Sequence, residues 1–331
     1  MAAGAEPVAA ARVEPRRASK RVAGVRESVR LRHRVEYAVV RALAWVLTVL
    51  PLGVALRMGA FVGTLLYLVS WPHRRIGMRN LAIALPERSR AEHRRILRRS
   101  LQNLGRTAVE IVRLPTFTDA QLREMVRFDD EAWWQEAIGR ERATGGLILS
   151  GHFGNWELLV YAHGRRGHPV SMVHRTIANP RIDRWLNDVR ARAGTTLVRK
   201  ARAATGVLRT MRDRGLLVLP FDQNSTRGLG VFVPFFGLPA STNSGIARIA
   251  LRSGAPIVPV FIVRQGASAR HVVYVLPLMQ AEHTGDFEAD VLRTTEQCSL
   301  VFEDMVRQHP EQWLWVHRRW KTRPAGEERF Y

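Results

Sequence analysis

A chain of 331 residues with 46% apolar composition can bury one sizeable core or two modest ones, and 51 Lys and Arg against 29 Asp and Glu leave it at +22. That balance calls for anionic partners such as nucleic acid, acidic proteins, phosphorylated lipids or membrane surfaces, although only three of the cations are lysines. The single cysteine, Cys298, excludes an intrachain disulfide framework or a multi-cysteine metal site, and the absence of phosphate-loop, zinc-protease, serine-elbow and dinucleotide motifs argues against those chemistries.

Residues 1–34 carry nine cations, from Arg12 to Arg34, against Glu6, Glu14 and Glu27, which predicts a disordered basic arm. Residues 35–72 are the most apolar part of the chain, broken by Glu36, Arg41, Pro51 and Arg57. The uncharged runs 42–56 and 58–72 hold fifteen residues each. As helix each is about 22 Å long, against a hydrocarbon core of about 30 Å. Cations crowd both flanks, so both are expected on the cytoplasmic side. The pattern predicts a hairpin or in-plane membrane anchor, with a pair of buried core helices as the competing reading.

Residues 87–113 read as an amphipathic, arginine-rich helix carrying Ile96, Leu97, Leu101, Leu104 and Val109. From about residue 145 short apolar runs alternate with helical spacing. Strands are expected at Leu147–Ser150, Val170–Val173, Leu216–Pro220, Pro256–Val263 and Val272–Leu276, and helices at 180–193, 201–213 and 244–253. This alternation predicts an α/β fold with a largely buried sheet. One domain over 73–323 is expected behind the anchor, with 324–331 as a short tail.

The sharpest local feature is Leu147-Ile-Leu-Ser-Gly-His-Phe-Gly-Asn-Trp-Glu157. An apolar strand ends at Ser150 and a helix starts near Asn155, which puts His152 at the carboxyl end of a strand, where open α/β sheets place their ligands. Glu157 follows one helical turn later. A carboxylate held against an imidazole supports a general base, so the spacing predicts a His152–Glu157 dyad, with Ser150 as a weaker candidate nucleophile and a capping His beside an exposed helix Glu as the bland alternative. Asp222 and Gln223 end a second apolar strand and reach the same edge. Phe232, Phe235 and Phe236 could wall an acyl chain or simply belong to the core. The Trp313–Lys321 segment interleaves aromatic and cationic residues, which by itself suits an anionic headgroup or nucleic acid.

Gly151–Leu158 resembles the His-x4-Asp/Glu signature of the late acyltransferases of lipid A biosynthesis, within the lysophospholipid acyltransferase superfamily. The resemblance continues in order through Arg79-Asn-Leu81, His174-Arg175 with Asn179-Pro180, and Arg190 ahead of Gly194. It goes on through Asp222-Gln223, Val231–Thr242 and Trp315–Lys321, spanning about 37–323. The phosphatidylinositol mannoside acyltransferases of actinobacteria share much of the pattern. What the resemblance implies is a lysophospholipid-acyltransferase-like mixed sheet flanked by helices, behind an N-terminal membrane-associated helical segment. It implies His152 and Glu157 as catalytic residues, and Arg175, Arg190, Asp222, Gln223, Phe236, Gly237 and Thr242 as substrate-binding ones. The implied partners are an acyl donor, acyl carrier protein or acyl-CoA, and a glycolipid acceptor at the anionic bacterial inner membrane. No metal or cofactor is expected, and no nucleic acid; a basic nucleic-acid-binding protein stands as the alternative from another class. Cys298, outside every motif, is expected to be dispensable.

Overall fold

The computed structural model describes residues 19–199, 203–226, 228 and 230–331. The chain opens with three helices, α1 (Ser19–Val49), α2 (Leu52–Val69) and α3 (Trp71–Ala84), then the long α4 (Arg90–Arg113). Helix α1 corrects the expected arm. Residues 19–34 are its first half, an Arg32–Glu36 ion pair of 2.9 Å crosses the expected boundary, and 1–18 lie outside the described residues. Alanine and arginine favour helix, and no proline intervenes before Pro51, where the helix breaks. Helix α4 starts where the sequence supplies a capping box, Ser89 with Glu92.

After α5 (Asp119–Met125), β1 (Val126–Phe128) and α6 (Glu131–Thr144), strands and helices alternate: β2 (Gly146–Ser150), α7 (Trp156–Arg165), β3 (Val170–His174), α8 (Pro180–Ala191), β4 (Thr196–Arg199), α9 (Ala203–Arg212) and β5 (Leu216–Pro220). A separate hairpin, β6 (Val231–Phe235) and β7 (Leu238–Thr242), precedes α10 (Gly245–Ser253), β8 (Ile257–Arg264), β9 (His271–Val275) and α11 (Phe287–Gln308). All five strands expected from the apolar runs form. The short β1 and β4, the hairpin strands and α11 had no distinctive local pattern.

The main sheet has the order β1-β9-β8-β2-β5-β3-β4, parallel throughout except for β8 against β9. Alternate residues of its central strands enter two cores. Leu147, Leu149, Leu217 and Phe261 join α4, α10, α11 and the C-terminal tryptophans on one face; Ile148, Val218, Val258 and Val260 join α7 and α8 on the other. A sheet covered on both faces needs strands apolar at every position, and β2 and β8 are buried at every residue. The parallel strands β2, β5 and β3 therefore end side by side on one edge. The C-terminal tail folds back as well: the Tyr331 hydroxyl donates to Asn80 Oδ1 on α3.

Candidate active site

The turn after β2 is held from both sides. Asn155 caps α7 by accepting from the Leu158 N–H at 3.0 Å, while its amide donates to Glu110 Oε2 at 2.7 Å. The Gly154 N–H donates to the Gln312 carbonyl at 2.9 Å, and the Leu314 N–H donates to the His152 carbonyl at 3.2 Å. His152 thus projects from an anchored turn at the carboxyl end of a central strand, as its position in the sequence predicted.

Its partner differs from the expected one. His152 Nδ1–H donates to Asp222 Oδ1 at 3.0 Å, and the other Asp222 oxygen accepts from Trp313 Nε1 at 3.0 Å. Asp222 follows β5, the neighbour of β2, and Gly151 makes room for it: a Cβ there would meet Asp222 Oδ1 at 2.7 Å. Glu157 is held elsewhere. Arg190 on α8 grips it in two-point fashion, Nε to Oε2 at 2.9 Å and Nη2 to Oε1 at 2.5 Å. Among the described residues no hydrogen bond joins His152 to Glu157. A planar guanidinium fork fits a carboxylate better than an imidazole edge does, and α8 delivers one to the spot.

Electrostatics follow the geometry. Burial would raise the Asp222 carboxyl, but the His152 charge and the hydrogen bonds from His152 and Trp313 hold it down to about 2. Burial would depress His152, yet the Asp222 charge and hydrogen bond, with the Glu157 charge, raise it above its ordinary 6.5. With Nδ1–H committed to Asp222, Nε2 is the free basic atom. Gln223 Nε2 stands 3.3 Å from it, and the Trp156 ring lies edge-on at 5.0 Å.

The site opens a cavity of about 720 Å³. Its lining combines a polar part, made by Ser150, His152, Glu157, Arg175, Arg190 and Gln223, with an apolar stretch contributed by α7 and the sheet. Ile148, Met172, Val218 and Val260 line that apolar stretch, and Trp134 and His163 also face the cavity. His163 is pressed down to about 4, chiefly by burial, so it stays neutral there. A cavity of this size takes a small ligand or one long hydrocarbon chain. Arg175 is exposed at the rim and forms no ion pair among the described residues.

Three expected substrate-binding residues lie away from the cavity. Phe236 and Gly237, at φ +51° and +72°, form the tight turn of the β6–β7 hairpin. Phe236 packs in the core with the Arg307 guanidinium 4.5 Å from its ring. Thr242 is fully buried and accepts from Arg319 Nη2 at 2.6 Å. Within the Trp313–Lys321 segment Trp313, Trp315, Arg319 and Trp320 are buried, so its aromatic rings belong to the interior, while Arg318 and Lys321 are exposed. His317 Nε2 accepts from the Asn224 N–H at 2.9 Å and so steadies the loop carrying Asp222 and Gln223. The role of Trp313 on Asp222 escaped sequence reasoning, since 91 residues separate the pair. Cys298 is buried, its thiol pushed up to about 12, which suits no nucleophile.

Residues 25–322 match the family model described as bacterial lipid A biosynthesis acyltransferase. The chain is 28% identical over 291 residues to the lipid A biosynthesis lauroyltransferase of Escherichia coli (strain K12), covering 85% of this chain and 90% of that relative. It is 24% identical over 288 residues to the palmitoleoyltransferase of the same organism, covering 87% and 91%. To the phosphatidylinositol mannoside acyltransferase of Mycobacterium tuberculosis (strain CDC 1551 / Oshkosh) it is 27% identical over 237 residues, covering 67% and 69%.

Proposed function

Because the chain belongs to the bacterial lipid A biosynthesis acyltransferase family, we propose that it moves a fatty acyl group from an acyl thioester to a hydroxyl of a lipid A precursor or similar glycolipid, at the cytoplasmic face of the bacterial inner membrane. The observation that carries this reading is an apolar cavity opening onto a carboxylate-backed imidazole. The acyl chain lies in the cavity with its thioester at the polar part. His152 Nε2 takes the proton of the acceptor hydroxyl as its oxygen attacks the thioester carbonyl, and Asp222 stabilises the imidazolium. Collapse of the tetrahedral intermediate breaks the C–S bond, and His152 returns the proton to the departing thiolate. Arg175, exposed at the rim, meets a phosphate of donor or acceptor, whereas Arg190 is occupied in holding Glu157.

Acyl carrier protein is the donor proposed, its acidic surface matching the +22 charge. The mannoside acyltransferase relative supports a second reading, with acyl-CoA as donor and a mannosylated phospholipid as acceptor. Incubating the full-length enzyme with each donor and acceptor pair, and reading the products by mass spectrometry, tests both. An acylated lipid A precursor formed from the carrier-protein donor supports the first reading; an acylated mannolipid formed from the CoA donor alone selects the second. No transfer to either acceptor rejects both.

A further inference from the structure

Helix α2 is the one described helix long and apolar enough to cross a membrane. At 18 residues it is about 27 Å long, close to the hydrocarbon thickness of a bilayer. Its packing sets its direction. Gly59 and Gly63 lie flat against α4: a Cβ on Gly59 would meet the Gly105 carbonyl oxygen at 2.5 Å, and one on Gly63 would collide with the Leu101 carbonyl. Ala55 and Leu56 pack on Val109, and Gln102 Nε2 donates to Thr64 Oγ1 at 2.9 Å. The corner before α2 is tied to the far end of the same helix, since Arg113 Nη1 donates to the Leu47 and Leu50 carbonyls at 2.6 and 2.7 Å. The two helices therefore run antiparallel, in backbone contact, along most of α2.

Helix α4 belongs to the catalytic domain. Ser100 donates to the Trp313 carbonyl at 2.5 Å, Asn103 donates to the Glu311 carbonyl at 3.1 Å, and Glu110 accepts from Asn155 at 2.7 Å. Its outer face exposes Arg94, Arg95, Arg98 and Arg99, and charged side chains of this kind are strongly disfavoured at the bilayer centre. A helix fastened along its length to α4 cannot carry its two ends to opposite sides of a membrane while α4 stays in water.

The opposite face of α2 carries an exposed stripe, Val54, Met58, Phe61, Leu65 and Leu68, spaced as one side of a helix. Helix α1 repeats the pattern with Leu31, Val35, Val39, Val46 and Val49, opposite Ala44, which is buried. Arg41 and Arg57, both exposed, interrupt the apolar stretch, and Arg75 lies over the exposed Trp71 ring at 5.4 Å, just past the end of α2. Apolar stripes flanked by arginines and tryptophans match the interface of an anionic bilayer. We infer that α1 and α2 form a monotopic docking surface for an anionic phospholipid bilayer, with α2 lying in the interface along α4 instead of crossing. This rests on the membrane reading above and adds the orientation, which places the catalytic domain against one leaflet.

The test uses the full-length protein with Cys298→Ser and a single cysteine at Val54, Phe61 or Leu68, each carrying an environment-sensitive fluorophore. Vesicles of phosphatidylglycerol and phosphatidylethanolamine carry a nitroxide quencher either near the headgroup or at the chain terminus. The expected result is a blue shift at all three positions, with headgroup-level quenching dominant at each and little binding to phosphatidylcholine alone. Quenching at Phe61 chiefly by the chain-terminus nitroxide, with Val54 and Leu68 shallow, would show a crossing helix; this inference fails and the membrane reading survives. No shift at any position in a folded, active protein rejects both. Equal binding to phosphatidylcholine removes the anionic partner from the inference.

Discussion

Two carboxylate–imidazole pairs in this molecule look alike on paper and behave in opposite ways. His152 meets Asp222 at 3.0 Å, and His271 meets Glu110 at 3.2 Å. His152 is raised above its ordinary pKa, whereas His271 is lowered. Both carboxylates are held at about 2 in spite of burial, so the acids do not explain the difference. Their other partners do. Glu110 already has a full cation, Arg264, donating through Nη1 at 2.5 Å and Nη2 at 2.6 Å, with Asn155 beside it. For His271 full burial dominates, and Arg264 opposes its charging. Among the described residues the Asp222 side chain hydrogen-bonds to the neutral Trp313 and to His152, with no guanidinium bonded to it, so the imidazole is the cation it holds directly, and the His152 side chain keeps 24% exposure beside the cavity. A carboxylate makes a base of a histidine when no guanidinium is bonded to it directly and the ring can reach a substrate.

The largest effect expected is at His152. His152→Ala should reduce acyl transfer by about 10² to 10⁴-fold with the fold intact, read as initial rate beside a circular dichroism melt. Near-full turnover would remove His152 from the chemistry. Glu110→Ala strands a buried Arg264 and should cost about 3–5 kcal/mol of stability, measured by denaturant unfolding. The pH–rate profile of the folded fraction should not move, and a moved profile would erase the contrast between the pairs.

Asp222→Asn should lower kcat on the order of 10²-fold and also shift the profile. The working form of His152 is neutral, so kcat/KM rises with pH through its folded pKa, which lies above 6.5. With the carboxylate gone, burial acts against only the Glu157 charge, and the acid limb moves to lower pH. An unmoved limb would show that Asp222 is not the electrostatic partner. Glu157→Gln loses the two-point pair with Arg190 but no bond to His152, so its loss should be smaller, about tenfold by the ordinary worth of a charged hydrogen bond. A larger loss and a larger limb shift than in Asp222→Asn would restore Glu157 as the partner. Cys298→Ser should be silent in rate, as befits a buried thiol pushed up to about 12.

Much of the frame was legible before any coordinates. Strands buried on both faces announce themselves as uninterrupted apolar runs, as β2, β5 and β8 do, and Asn155 marks the start of α7 because its side chain can satisfy a free helix N–H. His152 at a strand's carboxyl end follows from that local grammar alone. The short β1 and β4 did not show, since three or four residues carry too little pattern. Phe232, Phe235 and Phe236 left the wall-or-core question open because their hydrophobicity is the same in either place; Phe235 and Phe236 are core and Phe232 is exposed.

What the sequence by itself determined, then, is what neighbouring residues decide among themselves: the strands, the turn after Ser150, the capped helix and the apolar α2. Tertiary structure decided which charge meets which. Five residues separate His152 from Glu157 and seventy separate it from Asp222, yet β5 pairs beside β2 and α8 brings Arg190 to Glu157. The same long-range packing buried the Trp313–Trp320 aromatics and laid α2 along α4. Ion pairing inside a protein is a competition among all groups within reach, and reach is set by the fold, not by spacing along the chain.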